Sequence, residues 1–306
     1  MREIGGYPAL EKFSGQEYHA DAMRLNLARS ALRILLTKGV IKKLWVPSFL
    51  CQSVFDSIQT QVTVIRYDID KNFLPILDVQ PKEQEAVYIV NYYGQLNNEV
   101  LSNLKQRYQR VIVDNVQAFF QKPLANVDTL YCCRKWFGVP DGAYLYSDFP
   151  AESEKLEIDH SAQRFAALLG RYEDGADGHY KEFCANEALF NQQPVLKMSR
   201  LTENLMRSID YEKVCKQRNE NFNSLYQAFE KVNLLKLIVP TGAFYYPLLL
   251  DDPATIRAKL LDKKVYVPML WPECKGEWAT NILPLPIDQR YSAEDMQYII
   301  KEVKSL

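Results

Sequence analysis

Apolar residues in the first half of the chain fall into short blocks that alternate with stretches of helical spacing. Residues 21–38 (DAMRLNLARSALRILLTK) place Leu25, Ala28, Leu32 and Leu35 or Leu36 at three- and four-residue intervals, which predicts an amphipathic helix closed by Gly39. Leu44-Trp45-Val46 predicts a short strand ended by Pro47-Ser48. A second helix is expected over 51–59 and a strand over 62–67. Residues 86–90 predict a buried strand running into Asn91-Tyr92-Tyr93-Gly94, followed by a helix over 97–108 and a strand over 111–114. This alternation of strand and helix predicts a mostly parallel α/β sheet.

The pattern changes after Pro150. Residues 151–232 read as almost wholly helical, with a long stretch over 201–232. Mixed character returns from about Leu234, with strands expected at 245–250, 265–267 and 282–285. Helices are expected at 253–261 and 292–303, the second with Ser292 as its N-cap. The expected division is a large α/β domain over 1–232, including the helical segment 151–232, and a small C-terminal α+β domain over 233–306. No internal repeat or low-complexity tract is visible.

Composition narrows the function classes. A chain of 306 residues can bury a large core, and 47% hydrophobic with 25% charged residues is ordinary for a globular protein. Thirty-seven basic against 38 acidic residues leave a formal charge of -1, and no dense Lys/Arg run appears, so no nucleic-acid partner is expected. No segment approaches the roughly 18 uninterrupted apolar residues of a membrane helix, and the N-terminus lacks a signal-peptide core. The six cysteines are scattered, which suggests neither a disulfide framework nor a zinc site. The three histidines show no ligand spacing, so no metal is expected. The expected location is a reducing cytoplasm.

Residues 111–146 carry the candidate chemistry. The run Val111-Ile112-Val113 stops on Asp114, which places a carboxylate at the mouth of a sheet. A second apolar run, Thr129-Leu130-Tyr131, leads into Cys132-Cys133-Arg134-Lys135, and a third, Ala143-Tyr144-Leu145-Tyr146, follows a Gly/Pro/Asp loop. Strand-end residues of this kind face the crevice where open α/β sheets bind ligands. One carboxylate and one lysine there are what a pyridoxal phosphate site needs: the lysine forms a Schiff base, and the acid keeps a proton on the pyridine nitrogen. Taken alone, Asp114 reads equally as a turn cap and Lys135 as a solvated loop lysine.

Further segments, spread over most of the chain, resemble the DegT/DnrJ/EryC1/StrS family of sugar aminotransferases. Residues 26–32 (NLARSAL) are similar to that family's Ser-Gly-Thr-x-Ala-Leu helix start, and Val46-Pro47-Ser48-Phe49 to its Val-Pro-Ser-Phe-Thr. Asn91-Tyr92-Tyr93-Gly94-Gln95 resembles His-Leu-Tyr-Gly-Gln, and Asp114-Asn115-Val116-Gln117-Ala118 resembles Asp-x-Ala-Gln-Ala. Cys132-Cys133-Arg134-Lys135 with Asp141-Gly142-Ala143 resembles the segment around the family's Schiff-base lysine. Lys197-Met198-Ser199 with Leu201 resembles its Arg-Met-Ser-x-Leu, and Leu285-Pro286 its late Leu-Pro.

The resemblance implies an α/β fold-type-I transferase, aspartate aminotransferase-like, working as a homodimer. It implies pyridoxal 5'-phosphate as cofactor, a small-molecule amino donor, and a keto acceptor of the nucleotide-linked keto-sugar class. By matched position Lys135 is the Schiff-base lysine and Asp114 the partner of the ring nitrogen. Gln117 meets the ring's 3′ oxygen, the amides of Ala28 and Arg29 take the phosphate, and Cys132 stands near the family's phosphate-binding serine. A free lysine titrates near ~10.4, so proton transfer near neutrality calls for a partly desolvated amine. Departures from the pattern are Ala28 for Gly, Cys51 where a stacking aromatic is usual, Val195 for an Asn that reaches the neighbouring subunit's phosphate, and Lys197 for Arg. Phe49, Tyr92, Tyr93 or Phe119 is left to stack on the ring. These departures keep open a homologue without turnover, and an accidental Asp114/Lys135 match would leave a binding protein without cofactor.

Overall fold

The apolar runs of residues 23–146 pair into one sheet. In a computed structural model that describes residues 4–37, 39–148, 153–274 and 276–305, its strands are β1 (Met23–Leu25), β2 (Lys43–Pro47), β3 (Thr63–Ile69), β4 (Pro75–Ile76), β5 (Glu85–Val90), β6 (Val111–Asp114), β7 (Asp128–Cys132) and β8 (Ala143–Tyr146). They are ordered β1-β8-β7-β6-β5-β2-β3-β4. From β3 through β2, β5 and β6 to β7 the pairing is parallel, whereas β8 lies antiparallel to β7 and to β1. Every residue of β5 and β6 is buried, as expected of central parallel strands covered on both faces. Helices α1 (Ala28–Thr37), α2 (Gln52–Ile58) and α3 (Asn98–Tyr108) supply the crossovers. Asn97 caps α3 by accepting the Val100 amide at 2.9 Å.

Beyond residue 152 come α4 (Ala166–Asp174), α5 (Tyr180–Leu189), α6 (Arg200–Met206) and α7 (Tyr211–Phe229), then β9 (Tyr245–Leu249), α8 (Pro253–Asp262), β10 (Ile282–Pro286) and α9 (Ala293–Lys304). β9 and β10 form a separate antiparallel pair. Phe222, Leu225 and Phe229 of α7 pack with Tyr246, Leu248, Leu283, Leu285, Met296 and Ile299 in a second core beside that of the large sheet. Ser292 caps α9 in a reciprocal capping box with Asp295.

Three expectations are corrected. Residues 23–25 form a strand, not the start of a helix, because Met23 and Leu25 register with Leu145 and Ala143 of β8. The stretch 201–232 breaks at 207–210, where Asp210 starts α7 by accepting the Lys213 amide at 3.0 Å. Residues 265–267 alternate buried and exposed as a strand would, yet no strand pairs with them among the described residues; the Val267 carbonyl accepts Arg257 Nε at 2.9 Å instead. Lys38, the expected end of the first helix, and Pro150, the expected change of pattern, lie outside the described residues.

Candidate active site

Asp114 ends β6 at the carboxyl edge of the sheet and is 4% exposed. Its Oδ2 accepts the Tyr88 hydroxyl at 2.5 Å and its Oδ1 accepts the Val116 amide at 2.9 Å. Burial pushes the Asp114 carboxyl above its ordinary range, opposed by the positive charge of Lys135 and by those two hydrogen bonds. Tyr88 comes from the neighbouring strand β5, and burial beside Asp114 pushes its phenol well above the usual tyrosine value, so it is the donor. Each carboxylate oxygen retains a lone pair for a further donor.

Lys135 stands in the turn after β7 and is exposed. Strand β7, which precedes this turn, pairs with β6, and the positive charge of Lys135 favours the ionised form of Asp114. The residue that fixes this turn is Trp136, 3% exposed. Its amide donates to Cys133 O at 3.0 Å, and its indole Nε1 donates to Val116 O at 2.9 Å. Its own carbonyl accepts Arg218 Nη2 at 3.4 Å and Gln289 Nε2 at 3.0 Å. Asp141, fully buried further along the same loop, accepts the Ser199 amide and hydroxyl, both at 2.7 Å, and the Thr202 hydroxyl. Gly142 follows at φ 114°, a left-handed backbone that favours glycine; a Cβ there would come within 2.9 Å of Thr202 Cγ2 and 3.1 Å of Cys133 Cβ.

At the start of α1 the amides of Ala28 and Arg29 have no backbone acceptor among the described residues; the Leu27 carbonyl takes Ser30 and Ala31. Such a terminus favours an anion. Ala28 is helical with no positive φ, so its methyl is tolerated where the resembling family carries glycine. Arg29 Nη1 donates to Asn191 Oδ1 at 2.7 Å. Its guanidinium is lowered, first by burial, against the opposing influence of Cys51 and Cys132 nearby. Cys132 is buried at the end of β7. Arg134, which no sequence pattern singled out, is ion-paired with Glu187 and lies over the Phe190 ring at 3.9 Å.

Gln117 is 1% exposed. Its Oε1 accepts the Tyr93 amide at 2.9 Å, while its Nε2 donates to no described residue and remains available to a ring oxygen. Of the four candidate stacking aromatics, Phe119 packs instead in a separate cluster with His19, Phe137 and Tyr211. Phe49 and Tyr92 pack together and against Trp271, whose role was invisible in the sequence. Tyr93 is fully buried with a hydroxyl that has no partner among the described residues. Val195 packs against the main core, and Lys197 Nζ donates to Glu154 O at 3.2 Å. A cavity of about 280 Å³ lined by Val40, Lys105, Gln109 and Asp128 lies at the opposite edge, where β6 and β7 begin, remote from this chemistry.

Sheet order and strand directions are those of the α/β fold of fold-type-I transferases. Solved structures share it. The chain is similar to a DegT DnrJ EryC1 StrS aminotransferase from Brucella abortus, with 12% identity, 93% of this chain and 85% of that one covered, and a TM-score of 0.63. It is likewise similar to S. venezuelae DesV, solved in complex with a ketimine intermediate (15% identity, 93% and 84% covered, TM-score 0.64). The sugar aminotransferase CalS13 from Micromonospora echinospora matches at 13% identity, 94% and 87% coverage, and a TM-score of 0.64. No family model and no curated protein matches the sequence. Among the described residues no helix is long and apolar enough to cross a membrane, and no group of three or more His, Cys, Asp or Glu side chains could hold a metal.

Proposed function

We propose that the protein is a pyridoxal-phosphate-dependent aminotransferase that moves an amino group from an amino-acid donor to a keto acceptor. The observation that carries this reading is the buried Asp114 at the carboxyl edge of the sheet, held by Tyr88, with Lys135 in the turn that follows the neighbouring strand β7. The residues present fit the cofactor: free lone pairs on Asp114, an uncommitted Gln117 Nε2 and amides at Ala28 and Arg29 without a backbone acceptor would hold its ring nitrogen, 3′ oxygen and phosphate. When bound, the cofactor supplies an electron sink for the substrate's Cα. Lys135 would anchor it and move the proton at that carbon, Asp114 would hold the proton on the ring nitrogen, and Cys132 and Arg29 would flank the phosphate.

The likeness to the sugar aminotransferase CalS13 supports a keto sugar as the acceptor class, and a nucleotide-linked one is the acceptor to test first. Residues 1–232 are read as the cofactor-binding domain and 233–306 as the small domain, in a cytoplasmic homodimer. The test is to load the protein with pyridoxal phosphate, add single amino acids, and follow the absorbance spectrum together with release of the matching keto acid. A donor-dependent spectral change with stoichiometric keto acid supports the proposal; a spectrum that no donor alters contradicts it. A homologue without turnover is the second reading. It is favoured by the engagement of Arg29 and Arg134 with Asn191 and Glu187, which leaves less cation for a phosphate.

A further inference from the structure

Arg218 is a buried cation, 1% exposed on α7, and none of the described carboxylates forms an ion pair with it. Taking a guanidinium out of water is costly unless its donors are met. Here they are met by neutral acceptors: Nε donates to Gln289 Oε1 at 2.7 Å, Nη1 to the carbonyls of Ala243 and Phe244 at 3.0 and 3.3 Å, and Nη2 to the Trp136 carbonyl at 3.4 Å. The guanidinium also lies 4.5 Å from the centre of the Trp136 ring. Gln289, itself held by Arg218, adds a second hydrogen bond to the same Trp136 carbonyl at 3.0 Å.

The other side of Trp136 faces the acid. Its indole N–H meets Val116 O, and the amide of that same Val116 meets Asp114 Oδ1. One continuous path therefore runs from the C-terminal segment through Arg218 and Gln289 to the turn of Lys135, and on to Asp114. An apolar side chain of equal volume at 218 would fill the space without the desolvation cost. What the cation adds is a tie between the carbonyls of Ala243 and Phe244, the side chain of Gln289 and the carbonyl of Trp136, the residue directly after Lys135.

We propose that Arg218, Gln289 and Trp136 are positioning residues that set the Lys135 amine over the crevice opposite Asp114. This rests on the aminotransferase reading. Binding of the cofactor and covalent attachment to the lysine are separable: pyridoxal phosphate carries an aldehyde, to whose carbon the lysine amine adds with loss of water, while pyridoxamine phosphate fills the same site with no such bond. Misplacing Lys135 slows the first process and spares the second.

The test uses the full chain with Trp136→Phe, which deletes the indole N–H, and Gln289→Ala, which deletes one grip on the carbonyl. Arg218→Met and Arg218→Lys are added, with circular dichroism to confirm folding. Rates of borohydride-trappable attachment and dissociation constants for pyridoxamine phosphate are measured side by side. Expected are a tenfold or greater slowing of attachment in Trp136→Phe and Gln289→Ala, dissociation constants for pyridoxamine phosphate within twofold of wild type, and partial rescue by lysine over methionine at 218. Folded variants that attach at the wild-type rate overturn the inference and leave the function reading intact. Equal losses in attachment and in pyridoxamine phosphate binding overturn it too, since they mark a merely structural role. Wild-type protein that forms no trapped bond refutes the function reading, and the positioning role with it.

Discussion

Tyr88→Phe isolates the control of Asp114. Tyr88 is buried, and its hydroxyl reaches Asp114 Oδ2 at 2.5 Å, so the variant removes one oxygen and little else. The carboxyl is already raised by burial, and the Tyr88 hydrogen bond is among the influences that hold it down. Its loss raises the carboxyl further and makes the ionised form, which a protonated ring nitrogen requires, harder to reach. A hydrogen bond to a charged group contributes about 1.5–3 kcal/mol, and about 1.4 kcal/mol is tenfold in an equilibrium constant. Pyridoxal phosphate should therefore bind Tyr88→Phe roughly ten- to a hundredfold more weakly near neutral pH. Asp114→Asn should lose the site's pH dependence altogether. Absorbance titrations of wild type and both variants across pH provide the assay. A dissociation constant in Tyr88→Phe within twofold of wild type at every pH would refute this account of Asp114.

Four further outcomes follow from the same geometry. Because the Asp114 carboxyl is raised in the folded protein, it favours the fold most below the ordinary carboxylate value and loses that contribution as pH rises through its raised value; pairing with a cationic ring reverses this. The increase in melting temperature on adding pyridoxal phosphate should therefore grow with pH across that window, and a flat profile would count against the pairing. His19, buried among Phe119, Tyr131 and Tyr144, is pushed from 6.5 down to about 3 by desolvation, so it is neutral when folded. Stability should fall as pH drops from 6.5 toward 3, by at most about 5 kcal/mol from this group at about 1.36 kcal/mol per unit; urea denaturation of wild type and His19→Phe should differ in pH slope. Asp141→Ala strands three buried donors and should cost about 3 kcal/mol or more in the same assay. Gly142→Ala forces a side chain into a left-handed backbone against Thr202 and should destabilise by about 1–3 kcal/mol; an unchanged urea midpoint would contradict the crowding seen there.

What the sequence disclosed depended on how local the cause was. Residues 111–114 read as a strand with the bounds they have, because a strand buried on both faces is a short unbroken apolar run. Ser292 lies beside the helix start it caps, a signal spanning three residues. The strand Met23–Leu25 was hidden because its partner β8 is some 120 positions away, and the helical spacing that follows outweighed it. Tyr88 looked like one more apolar strand position; only the register of β5 on β6 brings its hydroxyl to Asp114. Trp136, Arg218 and Gln289 meet across separations of 82, 71 and 153 residues, which no local pattern encodes. Lys135 was legible as a motif residue, but its exposure was not, nor was the pairing of its neighbour Arg134 with Glu187.

The measurement that bears most directly on the central claim is peptide mass spectrometry after pyridoxal phosphate loading and borohydride reduction, run on wild type and Lys135→Ala. The account predicts a pyridoxyl-phosphate adduct on Lys135 in the wild type, accompanied by a visible absorbance band, with band and adduct both absent from the variant. An adduct on a different lysine, or the same band in Lys135→Ala, would contradict it.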